Sequence, residues 1–500
     1  MKRTFPPLES LEITGISSDG KAVGRHDNKV IFVPFVVPGD VVDVRITKSK
    51  RAFAEGVAIR FHRHSDKRTE PPCAHFGICG GCKWQNMNYD EQCRYKQQQV
   101  EDNLVRIGHL DIPRIEPIIA SDKIFFYRNK LEYSFNNRRW LLNPQAPPSM
   151  LCEKNTDDTD NTDSHRCKEK DDNIARSERS EDGRGLGFHL PGLWDRILDI
   201  EKCYLQEEPS NAIRLALKSY AVAAGLTFYD QRKKEGFLRN VLIRNTVSSQ
   251  WMVMMIFGYE DRMQRETMLD FILQQFPHLT SLVYAINEKT NDIYSDLTFH
   301  AYKTQDYIVE EMGKLKFRVG PTSFYQTNHD QVLKLYNVVR DFAALTGDEV
   351  VYDLYTGTGT IANFVADKAR KVVGIEYIED AVKDARINSE WNNITNTVFY
   401  AGDMAKVLTS DFVLHNDKPD VIITDPPRAG MSDKVVEQII KIRPARIVYV
   451  SCNPATQARD LALMKEFYNI TKLQPFDMFP HTHHVENVAL LEEKTAVKEH

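Results

Sequence analysis

The chain has little with which to span a bilayer. Its longest strongly apolar run, Trp251–Phe257, is seven residues long, against about 20 for a membrane helix, so no membrane role is expected. It also lacks an excess of charge of either sign. Sixty-five Lys and Arg against 70 Asp and Glu leave a net charge of −5 over 500 residues. The chain as a whole therefore does not attract a polyanion, and any nucleic-acid surface must be a local patch. Cysteine is scarce too: eight in 500 residues exclude a disulfide-stapled secreted scaffold. Met1-Lys2-Arg3 runs into Pro6-Pro7 rather than into an apolar stretch, unlike a secretory signal. A cytoplasmic protein is expected, and 42% hydrophobic content over this length fills more than one core.

What is present falls into three stretches. Residues 30–33, 41–46 and 53–59 are β-rich and are punctuated by turn chemistry at Asp27-Asn28 and Pro38-Gly39-Asp40. That spacing suits a small barrel of the oligonucleotide-binding kind. Lys48, Lys50, Arg51, Arg60, Arg63, Lys67 and Arg68 make this end locally basic, which fits nucleic acid and equally a plain solvated surface. Cys73, Cys79 and Cys82 then crowd into ten positions, a spacing that in a cytosolic chain suggests a metal site or cluster. A helical stretch is expected near 91–107. Beyond it, strand-like segments (130–135, 240–244 and Trp251–Phe257) alternate with helical ones (208–224 and 260–275), an α+β pattern without a nucleotide fingerprint. Residues 145–184 are charged and polar with almost no large apolar residue. They read as a disordered insertion, with Cys152 and Cys167 as bystanders.

From about Pro321 strands and helices alternate. Val350–Leu354, Lys371–Glu376, 398–401, 421–425 and 446–450 are apolar strand candidates, with helices at 378–390 and 435–442. Alternation of this kind builds a mainly parallel sheet covered on both faces. The first strand runs into Tyr355-Thr356-Gly357-Thr358-Gly359-Thr360, where glycines let backbone approach a ligand. Glu376 ends the next strand, where an acid binds ribose hydroxyls, and Gly402-Asp403 ends the third, where a carboxylate reads an adenine. Together these give the layout of a methyltransferase Rossmann-like domain.

Two more strand ends carry Asp425-Pro426-Pro427-Arg428-Ala429-Gly430 and Ser451-Cys452-Asn453-Pro454. Asn-Pro halts the strand and leaves the Cys452 sulfur at the sheet edge. A thiolate there can add to C6 of a pyrimidine, so that C5 gains carbanion character and accepts a methyl group. The C5 proton must then leave, which needs a general base, and Glu486 in His483-His484-Val485-Glu486-Asn487 is the candidate.

Residues 451–456 with Arg459-Asp460, residues 425–428, and residues 477–486 resemble the motifs of the RNA (uracil-5-)-methyltransferase family. The segment Ser323-Phe324-Tyr325-Gln326-Thr327-Asn328 is similar to that family's turn, whose Gln contacts S-adenosylmethionine. The resemblance implies that Gln326, Tyr355, Thr360, Glu376, Asp403 and Asp425 line the cofactor and substrate pocket, although Thr360 stands where many relatives have Asn. It further implies that the front barrel is a TRAM domain, as in bacterial 23S ribosomal RNA members. Cys73, Cys79, Cys82 and the more distant Cys203 would hold a [4Fe–4S] cluster. By spacing alone four thiolates could equally bind zinc, and Cys93 competes for the fourth place. Tyr127-Arg128-Asn129-Lys130 and Phe237-Leu238-Arg239 are similar to family segments that face RNA.

The expected protein is thus multidomain. Residues 1–68 form a TRAM/OB-like β-barrel, 69–320 an α+β iron–sulfur and RNA-binding domain, and 321–500 a Rossmann-like α/β methyltransferase domain. It would act as a monomer on RNA, 23S rRNA foremost and tRNA as the alternative. Rival readings are cytosine C5 methylation, which shares the Cys-to-C6 chemistry, and a non-catalytic iron–sulfur RNA-binding protein.

Overall fold

The computed structural model describes residues 6–140 and 183–494. The expected insertion at 145–184, with Cys152 and Cys167, lies outside the described residues except for Gly183 and Arg184. No helix among the described residues is long and apolar enough to cross a membrane.

The first five strands, β1 (Leu8–Ile16), β2 (Ala22–His26), β3 (Lys29–Val33), β4 (Val41–Ser49) and β5 (Phe53–Arg63), close a barrel in the order β1-β2-β3-β5-β4. Alternate residues such as Leu11 and Ile13, or Val42 and Val44, fill its interior, as the two-residue period of a strand requires. Asp27 and Asn28, both at positive φ, make the tight turn between β2 and β3. The sequence reading found β3, β4 and β5. It read short strands from about residue 8 onwards but did not delimit β1 and β2, whose polar outward residues dilute the apolar signal.

A single helix, α1 (Tyr89–Asp102), follows the cysteine segment and ends in a π-helical turn, Asn103–Ile107. The second sheet contains β6 (Lys130–Asn136), β7 (Arg139–Trp140), β8 (Gly185–Leu190), β9 (Leu193–Asp199), β10 (Leu238–Asn245), β11 (Trp251–Phe257), β12 (Ser281–Ile286) and β13 (His300–Ala301). Their spatial order is β13-β12-β11-β10-β6-β8-β9-β7. Helices α2 (Ser210–Ala223) and α3 (Arg262–Gln275) cover one face. On β11, Val253, Met255 and Phe257 point to these helices, while Met252, Met254 and Ile256 join the core of the C-terminal region. The continuous apolar run of this strand follows from burial on both faces.

The hairpin β14 (Ile308–Met312) and β15 (Leu315–Val319) leads to α4 (His329–Ala343) and a seven-stranded sheet. Its strands are β16 (Val350–Leu354), β17 (Lys371–Glu376), β18 (Thr397–Ala401), β19 (Val421–Thr424), β20 (Arg446–Ser451), β21 (Tyr468–Phe476) and β22 (Glu486–Glu493). The order is β18-β17-β16-β19-β20-β22-β21; the first five are parallel and β22 runs antiparallel to β20. One face carries α4, α5 (Thr360–Val365) and α6 (Glu379–Trp391). The other carries α7 (Met404–Val407), α9 (Asp433–Ile442) and α10 (Pro454–Met464), with α8 (Ser410–Asn416) beside β16 and β18. That second face also receives α1: Val100, Leu104 and Leu110 are buried in its core. The sequence reading grouped α1 with the middle domain, but its apolar stripe packs on the C-terminal sheet.

One buried charge fastens α1 there. Lys96 and Asp477 are both fully buried, 2.6 Å apart, and the Lys96 ammonium also donates to the Phe479 carbonyl at 3.0 Å. Removing one partner of such a pair strands the other charge. Lys96→Met is expected to lower stability by about 3–5 kcal/mol in equilibrium denaturation, and Lys96→Met/Asp477→Leu by less than the single change. A single variant as stable as the parent would show that the pair does not fasten this helix.

Candidate active site

Parallel strands place their carboxyl ends on one edge, and the strand order reverses direction around β16 and β19, where ligands of such sheets bind. The loop after β16 is built for close approach. Tyr355, Gly357 and Gly359 all take positive φ, at 63°, 55° and 74°. A Cβ on Gly359 would press into Ala385 at 2.9 Å, so this glycine lets α5 pack against α6; one on Gly357 would meet nothing within 4 Å. Backbone at Gly357 is thus open to a ligand on the site side. Asp353, at the end of β16, accepts from the Thr356 hydroxyl (2.5 Å) and the Ala362 N–H (3.0 Å) and braces the loop from beneath. Burial still lifts its carboxyl to about 7.

Glu376, after β17, accepts from the Gly357 N–H at 3.1 Å and the Ile378 N–H at 2.9 Å, one on each oxygen. Its carboxylate is thereby aimed at the glycine loop with lone pairs to spare for hydroxyl donors. Asp403, after β18, caps α7 by accepting from the Ala405 N–H. Thr360 opens α5, but its hydroxyl is engaged with the Tyr336 phenol of α4 at 2.9 Å. Gln326 is buried, and its carbonyl accepts from the Asn129 side chain. The Thr358 hydroxyl reaches the Phe324 carbonyl at 3.5 Å, which ties the turn holding Gln326 to the glycine loop. The six expected pocket residues therefore flank one edge, with Tyr355 and Asp425 at its centre.

The register of the last strands explains the chemistry-bearing pair. Ser451 on β20 pairs with Asn487 on β22, so Cys452 and Glu486 are the next facing positions where the ladder ends. Asp425 stands at the end of β19, one strand away. Cys452 is half-buried and Glu486 is buried. Burial, followed by the charges of Glu486 and Asp425, pushes the Cys452 thiol up to about 11, opposed by Arg428. Burial raises Asp425 to about 7. Burial and Asp425 together hold the Glu486 carboxyl well above the usual carboxylate range. Perturbation of this kind, from desolvation plus specific partners in one cluster, marks functional sites.

The loops bearing these groups are held from behind. Asp460 on α10 is fully buried and accepts from the Met431 N–H, the Tyr449 phenol and the Arg459 guanidinium. Arg459 in turn donates to the carbonyls of Ala429 and Met431. Gly430 takes φ +75°, and a Cβ there would lie 2.7 Å from both Arg459 and Asp460. Arg428 lies on the outer side of this loop, 3.3–3.4 Å from the His484 ring. Burial pulls His484 down to about 3, so its neutral ring accepts from the guanidinium. The sequence reading quoted Arg428 within a motif without giving it a role. Its position after two prolines at a strand end was the available signal. Tyr336 carried no such signal.

A second group of expected residues meets elsewhere. Cys73, Cys79, Cys82 and Cys203 line one cavity of about 400 Å³. Each of the six pairs among them is close enough for one thiolate to raise the other, and burial, the larger cause, takes Cys79 and Cys82 to about 12. Cys93 stays apart, buried on α1. Among the described residues no three His, Cys, Asp or Glu side chains are arranged to hold a single metal ion. Four thiols around one roomy cavity nevertheless match, in donor chemistry, a group held by four sulfurs.

Two expected RNA-facing segments are corrected. Phe237, Leu238 and Arg239 are buried, the arginine donating to the carbonyls of residues 287, 289 and 291. Tyr127 and Asn129 are buried as well; the Tyr127 phenol donates to the Pro480 carbonyl. The buried residues of these runs serve packing and buried backbone hydrogen bonds rather than a surface, while Arg128 and Lys130 are half-buried.

Residues 300–494 match the tRNA (Uracil-5-)-methyltransferase family model, and residues 10–59 match the TRAM domain. An uncharacterized RNA methyltransferase of Bacteroides thetaiotaomicron is 50% identical over 480 residues, covering 95% of this chain and 100% of the relative. Another, from Porphyromonas gingivalis, is 47% identical and covers 97% and 100%. Among solved structures, the Pyrococcus abyssi tRNA (uracil-54, C5)-methyltransferase in complex with S-adenosyl-L-homocysteine superposes with a TM-score of 0.71. It shares 26% identity over 97% of this chain and 100% of that one.

The raised thiol has a direct consequence. A thiol, not a thiolate, prevails below about pH 11, and only the thiolate is nucleophilic. Alkylation of Cys452 by iodoacetamide, followed on its peptide by mass spectrometry, is expected to be slow at pH 7 and to quicken about tenfold per pH unit towards that value. A rate already level at neutral pH would contradict the burial and charge argument.

Proposed function

Since the chain belongs to the TRAM-containing RNA (uracil-5-)-methyltransferase family and is an S-adenosylmethionine-dependent RNA methyltransferase, we propose that it methylates C5 of a uridine in 23S rRNA through a covalent adduct on Cys452. The observation that carries this reading is the facing of Cys452 and Glu486 at neighbouring strand ends, with Asp425 beside them.

Cys452 loses its thiol proton to solvent and, as the minor thiolate form, adds to C6 of the uracil, and the displaced electron pair spreads over C5 and O4. C5 then takes the methyl group from the sulfonium donor, which leaves as a neutral thioether. Glu486 removes the C5 proton, the electrons return to form the C5–C6 double bond, and the Cys452 sulfur is expelled. A carboxylate held above its usual range is a stronger base for that proton. Gln326, Tyr355, Thr360, Glu376 and Asp403 line the cofactor, with Glu376 towards the ribose hydroxyls and Asp403 towards the adenine. Asp425, beside Cys452 and Glu486 at the end of β19, would face the bound uridine. Thr360 contributes through Tyr336, because its hydroxyl is already bonded there. The uridine reaches this edge only when unstacked or flipped.

Cys73, Cys79, Cys82 and Cys203 hold a [4Fe–4S] cluster. A single zinc ion, with Zn–S bonds of about 2.3 Å, would draw four sulfurs to within roughly 4 Å of one another, and among the described residues no three such side chains are so arranged. The cluster supplies a rigid cross-link between the segment at 73–82 and that at 203. The protein works in the cytoplasm as a monomer.

A second reading, tRNA as substrate, is favoured by the likeness to the Pyrococcus abyssi enzyme. Incubating the protein with S-adenosylmethionine and either RNA, then identifying the nucleoside, separates the two. 5-Methyluridine in 23S rRNA is expected; 5-methyluridine in tRNA alone would move the substrate, and 5-methylcytidine would sink the chemistry. Cys452→Ala is expected to abolish transfer. Glu486→Gln is expected to accumulate a protein–RNA adduct, seen as a shifted band on a denaturing gel, because methylation proceeds while elimination stalls.

A further inference from the structure

Arg214 on α2 is, with Arg239, one of the two largest fully buried side chains among the described residues, at 0% exposure. Its Nη2 donates to the Glu201 carbonyl at 2.9 Å, two residues before Cys203, while Nε and Nη1 have only the neighbouring Tyr133 phenol, which is too poorly aligned for a full hydrogen bond. A buried guanidinium with two idle nitrogens is costly unless a negative charge stands nearby. The acid that acts on Arg214, Asp199, is already bonded by Lys218 and Arg139. The other close neighbour is the Tyr133 ring, its centroid 5.5 Å from the cation. Through the Glu201 carbonyl, Arg214 is anchored on the segment that carries Cys203.

Arg128 repeats the arrangement from the opposite element. It lines the four-cysteine cavity, and its Nε is buried without a partner. Its guanidinium lies 5.6 Å from the centroid of the Phe479 ring. Of the other titratable groups at the cavity, Lys202 is exposed and screened, and burial lowers His75 and His189, which stay neutral.

We propose that Arg214 and Arg128 are the counter-ions of an anionic four-thiolate metal centre at Cys73, Cys79, Cys82 and Cys203. This rests on the reading of those cysteines given above. Four thiolates around a dication, whether one zinc ion or an oxidised [4Fe–4S] core, sum to a charge of about −2, and two guanidiniums neutralise it. Such an anion supplies what the idle nitrogens of both arginines lack. The pairing also ties the centre to the catalytic end, because Arg128 sits against Phe479 in the loop that leads to Glu486.

The test uses the full chain purified without oxygen. Iron, zinc and sulfide are counted, metal loss to a chelator is timed, and, for an iron–sulfur centre, the midpoint potential is titrated. Arg214→Met is expected to lose metal at least tenfold faster. It is also expected to shift the one-electron equilibrium at least tenfold towards the oxidised form, about 59 mV more negative, because the reduced centre is the more anionic. Arg214→Lys is expected to recover most of both. Arg128→Gln, at a half-buried position, carries the same expectation should Arg214→Met fail to fold. Variants that hold the metal as long as the parent, at the same potential, overturn the counter-ion proposal alone. A parent chain that binds no metal overturns the reading of the cysteines and this proposal with it.

Discussion

The ion pair between Lys96 and Asp477 is the constraint on which the catalytic edge depends. Asp477 opens the loop between β21 and β22, and Glu486 closes it. The nine residues between the strands, 477–485, have no regular hydrogen bonding of their own, and only the first pair of the β21–β22 ladder holds Glu486 where the loop ends. The structure supplies the rest from outside. Lys96 holds Asp477 and the Phe479 carbonyl, Gln92 accepts from the His481 N–H, the backbone of Lys83 and Trp84 donates to the His481 carbonyl, and Tyr127 takes the Pro480 carbonyl. Helix α1 and the cysteine segment before it thus act as a clamp on the loop. Burying an ammonium and a carboxylate is expensive, and the cost is offset only because each meets further partners.

The same edge shows why such clamping is needed. Cys452, Glu486 and Asp425 repel one another once ionised, and burial denies them water. Left free, the loops would relax by letting these groups swing into solvent. Asp460 with Arg459 behind the loop at 428–431, and Lys96 behind the loop at 477–486, prevent that relaxation. The unfavourable clustering is retained in the folded state as raised basicity on Glu486 and Asp425 and as a protonated, quiescent thiol.

Much of this was legible in the sequence, for physical reasons that can be named. The strands of the C-terminal sheet are buried on both faces, so they read as short apolar runs, and a glycine, an acid or a cysteine just beyond each run sits at the edge by necessity. The choice of Cys452 followed from that logic, whereas Glu486 came from the reaction's need for a general base and from the family resemblance. Their facing followed from neither, because it depends on the antiparallel register of β20 with β22, and β22 begins only at Glu486 itself. Lys96 lies in a helix rich in Gln, Arg and Glu, where nothing separates a buried ammonium from a solvated one. The reverse error occurred at Tyr127 and Arg239. Aromatic and basic residues side by side fit an RNA surface, but the same residues serve equally where buried carbonyls need donors.

The four cysteines gain a meaning from this geometry that their spacing alone did not give. Segments on either side of their cavity lead straight into both loops of the catalytic edge. Lys83 and Trp84, next to Cys82, bond His481; Arg128 bonds the Leu205 carbonyl, two residues past Cys203, and Asn129 bonds the backbone of Gln326 and Thr327. Rigid backbone hydrogen bonds transmit displacement well, so a centre that fixes residues 82 and 203 relative to each other also fixes Gln326 relative to Glu486. In the proposed reaction those two residues serve opposite partners, the methyl donor and the uridine. A transfer that needs donor and acceptor carbon aligned within a few tenths of an ångström gains from such a cross-link without any electron passing through it.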